Sequence, residues 1–119
     1  MQVQVHTDDH IQGGESLAQW VQTEASTRLA RFQETLTRLE VFLTDLDGGK
    51  SGVNDKRCRL EARLAGRQPV SVTADADKMA GAVTAAVEKL TRLLDTELGR
   101  VKDRNGRDTI RAAQEPQEE

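Results

Sequence analysis

From Met1 to Thr7, Val3 and Val5 alternate with Gln2, Gln4 and His6, a period of two that predicts a strand with one buried face. The polar segment from Asp8 to Gly14 follows, and then Leu17, Trp20, Val21, Ala25, Leu29 and Phe32 return at steps of three and four. That rhythm predicts an amphipathic helix ending near Gln33, with these residues, Trp20 and Phe32 included, on its core-facing stripe. Between Leu36 and Leu46, Leu39, Val41 and Leu43 alternate with Arg38, Glu40 and Phe42, giving a second strand. It ends in Asp47-Gly48-Gly49-Lys50-Ser51-Gly52, and the loop is expected to run to about Asp55.

The clearest alternation comes next, with Cys58, Leu60, Ala62 and Leu64 on one side and Arg57, Arg59, Glu61 and Arg63 on the other. Gly66-Arg67-Gln68-Pro69 has hairpin-turn chemistry, and Val70, Val72 and Ala74 form a fourth strand antiparallel to the third. From about Asp77 to Arg104, Met79, Ala82, Val83, Ala86, Val87, Leu90, Leu93, Leu94, Leu98 and Val101 keep helical spacing. At ~1.5 Å per residue this helix is ~40 Å long and outruns a four-stranded sheet. The expected fold is therefore α+β, in the order β-α-β-β-β-α: a four-stranded mixed sheet with two helices packed on one face and the other face open. It makes one domain over residues 1–104, followed by a disordered acidic tail over 105–119.

Composition refines this picture. With 36% hydrophobic and 31% charged residues the chain reads as a soluble domain, and no apolar run approaches the ~20 residues that span a bilayer. No secretory signal pattern opens the chain and there is a single cysteine, Cys58, so a cytoplasmic location is expected. The net charge of −3 hides an asymmetry: residues 1–55 carry −5, residues 56–111 carry +5 and the last eight residues −3. Such a split can turn one positive face toward a phosphate backbone while the rest discourages promiscuous binding.

Candidate chemistry is sparse. Residues 47–52 end like a phosphate-binding loop, but Thr44 stands where the first glycine belongs and no helix follows. His6, Asp8, Asp9 and His10 are metal-compatible side chains without the spacing of a closed site. Asp75 and Asp77 read as the lead into the second helix, and two N-terminal histidines support no catalytic constellation. Neither an enzyme nor a cofactor is indicated. The only aromatics are Trp20, Phe32 and Phe42, so a base-stacking platform is not expected and RNA contact would be made by shape and phosphate.

The stretch Val72-Thr73-Ala74-Asp75-Ala76-Asp77-Lys78-Met79, with Ala82-Val83 and Val87-Glu88-Lys89-Leu90-Thr91-Arg92-Leu93-Leu94 behind it, resembles the sigma-54 modulation family of hibernation-promoting factors and ribosome-associated inhibitors. The likeness covers about residues 1–104 and is to the short members. It implies the same β-α-β-β-β-α fold, seated on the small ribosomal subunit over the messenger and transfer RNA sites, where it silences translation under stress. Under that implication Arg57, Arg59, Arg63 and Arg67, with Lys89 and Arg92 in the matching helix motif and Arg100 and Lys102 further along, are candidate contacts to ribosomal RNA. A second reading makes the same fold a protein-interaction or homodimerisation module. It expects binding insensitive to ~0.2 M salt and an exposed apolar patch around Phe42.

Overall fold

The computed structural model describes residues 1–8, 11, 14–46 and 55–114, with side chains described as far as residue 98. Strand β1 (Gln2–Thr7), helix α1 (Gly14–Arg28), strands β2 (Leu36–Asp45), β3 (Lys56–Leu64) and β4 (Val70–Ala76), and helix α2 (Met79–Gln114) follow in the expected order. The sheet order is β1-β2-β3-β4. β1 pairs parallel to β2 with Val3 opposite Leu39 and Val5 opposite Val41, while β2-β3 and β3-β4 are antiparallel. The parallel pair is what a helical crossover produces, and it sets α1 over the β1 side. α2 covers β3 and β4.

Strict alternation gives the sheet one dry face. Leu39, Val41, Leu43, Cys58, Leu60, Ala62, Leu64 and Ala74 are buried together with Val21 and Ala25 of α1 and Val83, Ala86, Val87, Leu90 and Leu94 of α2. Both helices thus share one core and leave the other face open. Gly66 turns the β3-β4 hairpin at φ +70°, the left-handed region where a Cβ is strained.

Three expectations need correction. α1 stops at Arg28 instead of Gln33, and a 3₁₀ turn over Ala30–Phe32 takes over. Its three-residue step still buries both Leu29 and Phe32. Trp20 is not in the core: it is 39% exposed, because the narrow buried stripe of α1 runs through Val21 and Ala25. α2 continues past the boundary expected at Arg104, through to Gln114. The phosphate-loop-like segment 47–52 and the last five residues of the expected tail lie outside the described residues.

The open end of the β2-β3 pair is fastened by charge. Lys56 Nζ lies 3.0 Å from Asp55 Oδ1 and 3.5 Å from Asp45 Oδ1, and both aspartates are buried. The approach to Asp55 is an ion pair without hydrogen-bond geometry, and among the described residues neither Asp55 carboxylate oxygen has a hydrogen-bond donor. Lys56 is held above its ordinary value chiefly by the Asp55 carboxylate, against a burial penalty. Asp8 Oδ2 accepts the Asp45 backbone N–H at 3.2 Å, tying the end of β1 to the same corner.

Cys58 packs in register between Leu43 and Ala74, and burial pushes its thiol up to about 12. A thiol that is neither ionised nor accessible cannot attack. The native protein at about pH 8 is expected to resist alkylation at Cys58, with full labelling only under denaturing conditions. Mass spectrometry of iodoacetamide-treated samples checks this. Rapid native labelling would show that the β3 core opens locally.

Candidate nucleic-acid interface

The open sheet face is assembled by register. Residues of β1 to β4 that point away from the core fall into cross-strand rows: His6, Phe42, Arg59 and Thr73 in one; Gln4, Glu40, Glu61 and Ser71 in the next; Gln2, Arg38 and Arg63 in a third; and Thr44, Arg57 and Asp75 at the opposite end. Arg57, Arg59 and Arg63 therefore share one surface, as their alternation with Cys58, Leu60 and Ala62 required. Arg38 joins them from β2.

Most of this cationic surface is compensated within the chain. Arg57 donates two hydrogen bonds to Asp75, Nε to Oδ1 at 2.8 Å and Nη2 to Oδ2 at 3.0 Å. Arg59 pairs with Glu61. Arg38 Nε lies 3.1 Å from Glu40 Oε2, and its Nη2 donates to Gln4 Oε1 at 2.9 Å. His6 Nε2 meets the other Glu40 oxygen at 3.1 Å. Among the described residues, Arg63 is the arginine of this face without a carboxylate partner.

Phe42 is half-buried rather than exposed. The His6 ring stacks on it at 4.8 Å and 14°, and the Arg59 guanidinium sits 4.4 Å from its centroid. The apolar patch that the protein-interaction reading expects around Phe42 is therefore covered by two polar groups, and neither ring face is free to stack a base. Trp20, the exposed indole, is on α1 in the helix layer.

The other candidate cations with described side chains do not converge on this surface. Lys89 stands at its β4 edge, donating from Nζ to the Thr73 carbonyl at 2.7 Å and so covering part of an edge strand that would otherwise invite pairing. Arg67, in the β3-β4 turn, turns toward α2 and lies 3.6 Å from Glu97. Arg92 is exposed on α2 beside Glu88 at 3.8 Å, on the flank where Arg31 and Asp95 join the two helical segments. Arg100 and Lys102 lie beyond the described side chains. The eight candidates thus divide between the open face with its β4 edge, the helix layer, and the distal part of α2.

Sequence reasoning overlooked Arg38 with its partner Glu40, and Asp75 as the partner of Arg57. Asp75 belongs to β4, opposite Arg57, and not to the lead into α2. His6 is engaged with Phe42 and Glu40, and among the described residues no group of three potential metal ligands forms. No described helix is long and apolar enough to cross a membrane.

The Asp75 carboxyl is held below the usual carboxylate range, first by the Arg57 hydrogen bonds and then by the fields of Arg57 and Lys89, against desolvation. A depressed folded value stabilises the protein in full above the ordinary carboxylate range and is lost as pH falls through the folded value. The difference in melting temperature between the native chain and Asp75→Asn is therefore expected to be present at neutral pH and to shrink on acidification. Melting curves from about pH 7 to pH 2 measure it. A difference that grows in acid would contradict the pairing.

The family model for sigma 54 modulation protein / S30EA ribosomal protein matches residues 3–102, the four strands, α1 and the first two-thirds of α2. Among solved structures, the Protein Y N-terminal domain of Thermus thermophilus superposes with a TM-score of 0.64 at 21% identity, over 81% of this chain and 98% of that one. A ribosomal subunit interface protein from Coxiella burnetii gives a TM-score of 0.55 at 16% identity, over 87% of this chain and 99% of its own. At these identities the likeness is one of fold. No curated protein matches the sequence.

Proposed function

The chain belongs to the sigma 54 modulation protein / S30EA ribosomal protein family, and from that premise we propose that it is a cytoplasmic, ribosome-associated hibernation factor that binds the small ribosomal subunit and blocks translation by occupying space there. The observation that carries this reading is the extent of the family match, which spans every strand of the arginine-bearing face and the Lys89 and Arg92 motif of α2. The name of the structurally similar Coxiella burnetii protein, a ribosomal subunit interface protein, points the same way.

The chemistry such a role needs is modest. The open face offers guanidinium groups suited to phosphate oxygens, while Phe42, closed on both sides, offers no stacking surface. RNA is then held by backbone shape and charge, with no bond made or broken. Around the sheet the candidate contacts are Arg63 and Lys89, since Arg57 and Arg59 are already engaged by Asp75 and Glu61; Arg67, Arg92, Arg100 and Lys102 are the candidates from the turn and α2.

Co-sedimentation of the purified chain with small ribosomal subunits across a salt series tests this. Binding that weakens steeply between about 50 and 200 mM salt is expected, because phosphate neutralisation releases counterions. No binding at the lowest salt overturns it. One observation favours a second reading, in which the domain pairs with itself or another protein: three of the four sheet arginines are already matched by acids of the same chain. That reading expects association that survives ~0.2 M salt, and light scattering on the isolated chain then shows a homodimer or leaves a protein partner to be found.

A further inference from the structure

Arg38 and Arg63 are opposite one another in the β2-β3 register, just past the irregularity between Leu36 and Arg38. Like charges directly across a sheet repel, and a sheet built for stability alone would place an acid at one of the two positions. Elsewhere on this face that is what happens, with Arg57 opposite Asp75. Here the local acid, Glu40, is shared between Arg38 and His6. Glu34, exposed in the turn before β2, forms no ion pair among the described residues. The uncompensated positive charge of the open face is thus concentrated at its Gln2-Arg38-Arg63 end.

We propose that Arg63, with Arg38 opposite it, binds one phosphodiester of an RNA backbone, so that RNA meets the sheet at this end and not over Arg57 and Arg59. The site deepens the ribosome reading and rests on it for the identity of the RNA. Three features select a phosphate. Arg63 carries an exposed guanidinium with no internal acid to displace. Arg38 is held beside it by Gln4 and Glu40, so this second guanidinium borders the site without ordering another long side chain on binding. Arg57 and Arg59, by contrast, would each have to give up a carboxylate before taking a phosphate, an exchange with little net gain.

Slopes of log affinity against log salt test the site, measured for the native chain, Arg63→Gln, Arg38→Gln, the double variant and Arg57→Gln. The probes are purified small ribosomal subunits and, separately, a 20-base-pair RNA duplex, about the length a shape-reading RNA domain covers. Arg63→Gln is expected to flatten the slope by about one, the signature of one lost phosphate. Because both arginines serve the same phosphate, the double variant should lose no more slope than Arg63→Gln, and Arg57→Gln should keep the native slope. Thermal melts confirm folding; Arg63→Gln removes the like-charge contact with Arg38, so its melting temperature is expected to equal or exceed the native one.

If the native chain binds subunits while Arg63→Gln keeps the full slope, the site is wrong and the ribosome reading stands. If the native chain binds the duplex with an Arg63-dependent slope but ignores subunits, the site stands and the ribosome reading falls. A slope lost with Arg57→Gln instead would move the contact to the other end of the face and overturn the proposal.

Discussion

Replacing Leu60 by alanine is expected to destabilise the protein by about 2–5 kcal/mol, the range for a fully buried leucine whose surroundings cannot collapse into the space left behind. Leu60 has no solvent exposure. Its strand is hydrogen-bonded on both sides, with Val41 opposite on β2 and Val72 opposite on β4, and α2 closes the core above it. Strands pinned by two ladders cannot shift to refill a hole, so the cost should lie toward the upper part of that range. For a domain of this size each kcal/mol is worth roughly 4–8 °C in melting temperature, and the whole native margin is about 5–15 kcal/mol. A thermal or urea melt decides the matter. A change under about 1 kcal/mol would mean the core around β3 repacks freely, unlike a close-packed interior. The functional consequence is direct, because Leu60 sits between Arg59 and Glu61 and the burial of one sets the outward aim of the others.

That same parity explains how much of the protein is legible in its residues. A period of two fixes which side of a strand is dry, so the core positions of β1, β2 and β3 and the shared outward face of Arg57, Arg59 and Arg63 follow from the alternation alone. The Arg57–Asp75 pair is within reach too. A hairpin turning at Gly66 pairs Ala62 with Val70 and, further along the same ladder, Cys58 with Ala74 and Arg57 with Asp75, so counting outward from the turn finds it. Other contacts have no local determinant. The row of His6, Phe42 and Arg59 depends on the register of a parallel crossover, which no turn specifies. The meeting of Arg38 with Arg63 depends on an irregularity between Leu36 and Arg38 that shifts the count. Trp20 escapes the pattern for a different reason. Spacing of three and four marks a broad stripe, and only packing against β1 decides which of Leu17, Trp20 and Val21 goes deepest.

Charge reversal of the sheet arginines, Arg57→Glu, Arg59→Glu and Arg63→Glu together, is expected to abolish small-subunit binding at physiological salt. The native open face sets Arg38, Arg57, Arg59 and Arg63 against Glu40, Glu61 and Asp75. The variant leaves Arg38 alone against six acids, and a phosphate backbone then meets like charge across the surface. Such juxtaposition costs several kcal/mol, which is more than roughly a hundredfold in affinity. Arg57→Glu also sets a carboxylate opposite Asp75, and Arg59→Glu sets one beside Glu61, each a like-charge contact of about 0.2–1 kcal/mol, small enough against the native margin for the fold to persist. Circular dichroism and a melt establish that it does. The double swap Arg57→Glu/Asp75→Arg separates the two effects, since it restores the cross-strand pair and leaves the net charge of the face unchanged; its binding is expected to stay close to native. If the folded triple variant still binds subunits with the native salt dependence, the open face is not where RNA lies. Contact would then have to be made through the helix layer, where Arg92 is exposed and α2 carries further arginines and lysines along its distal part.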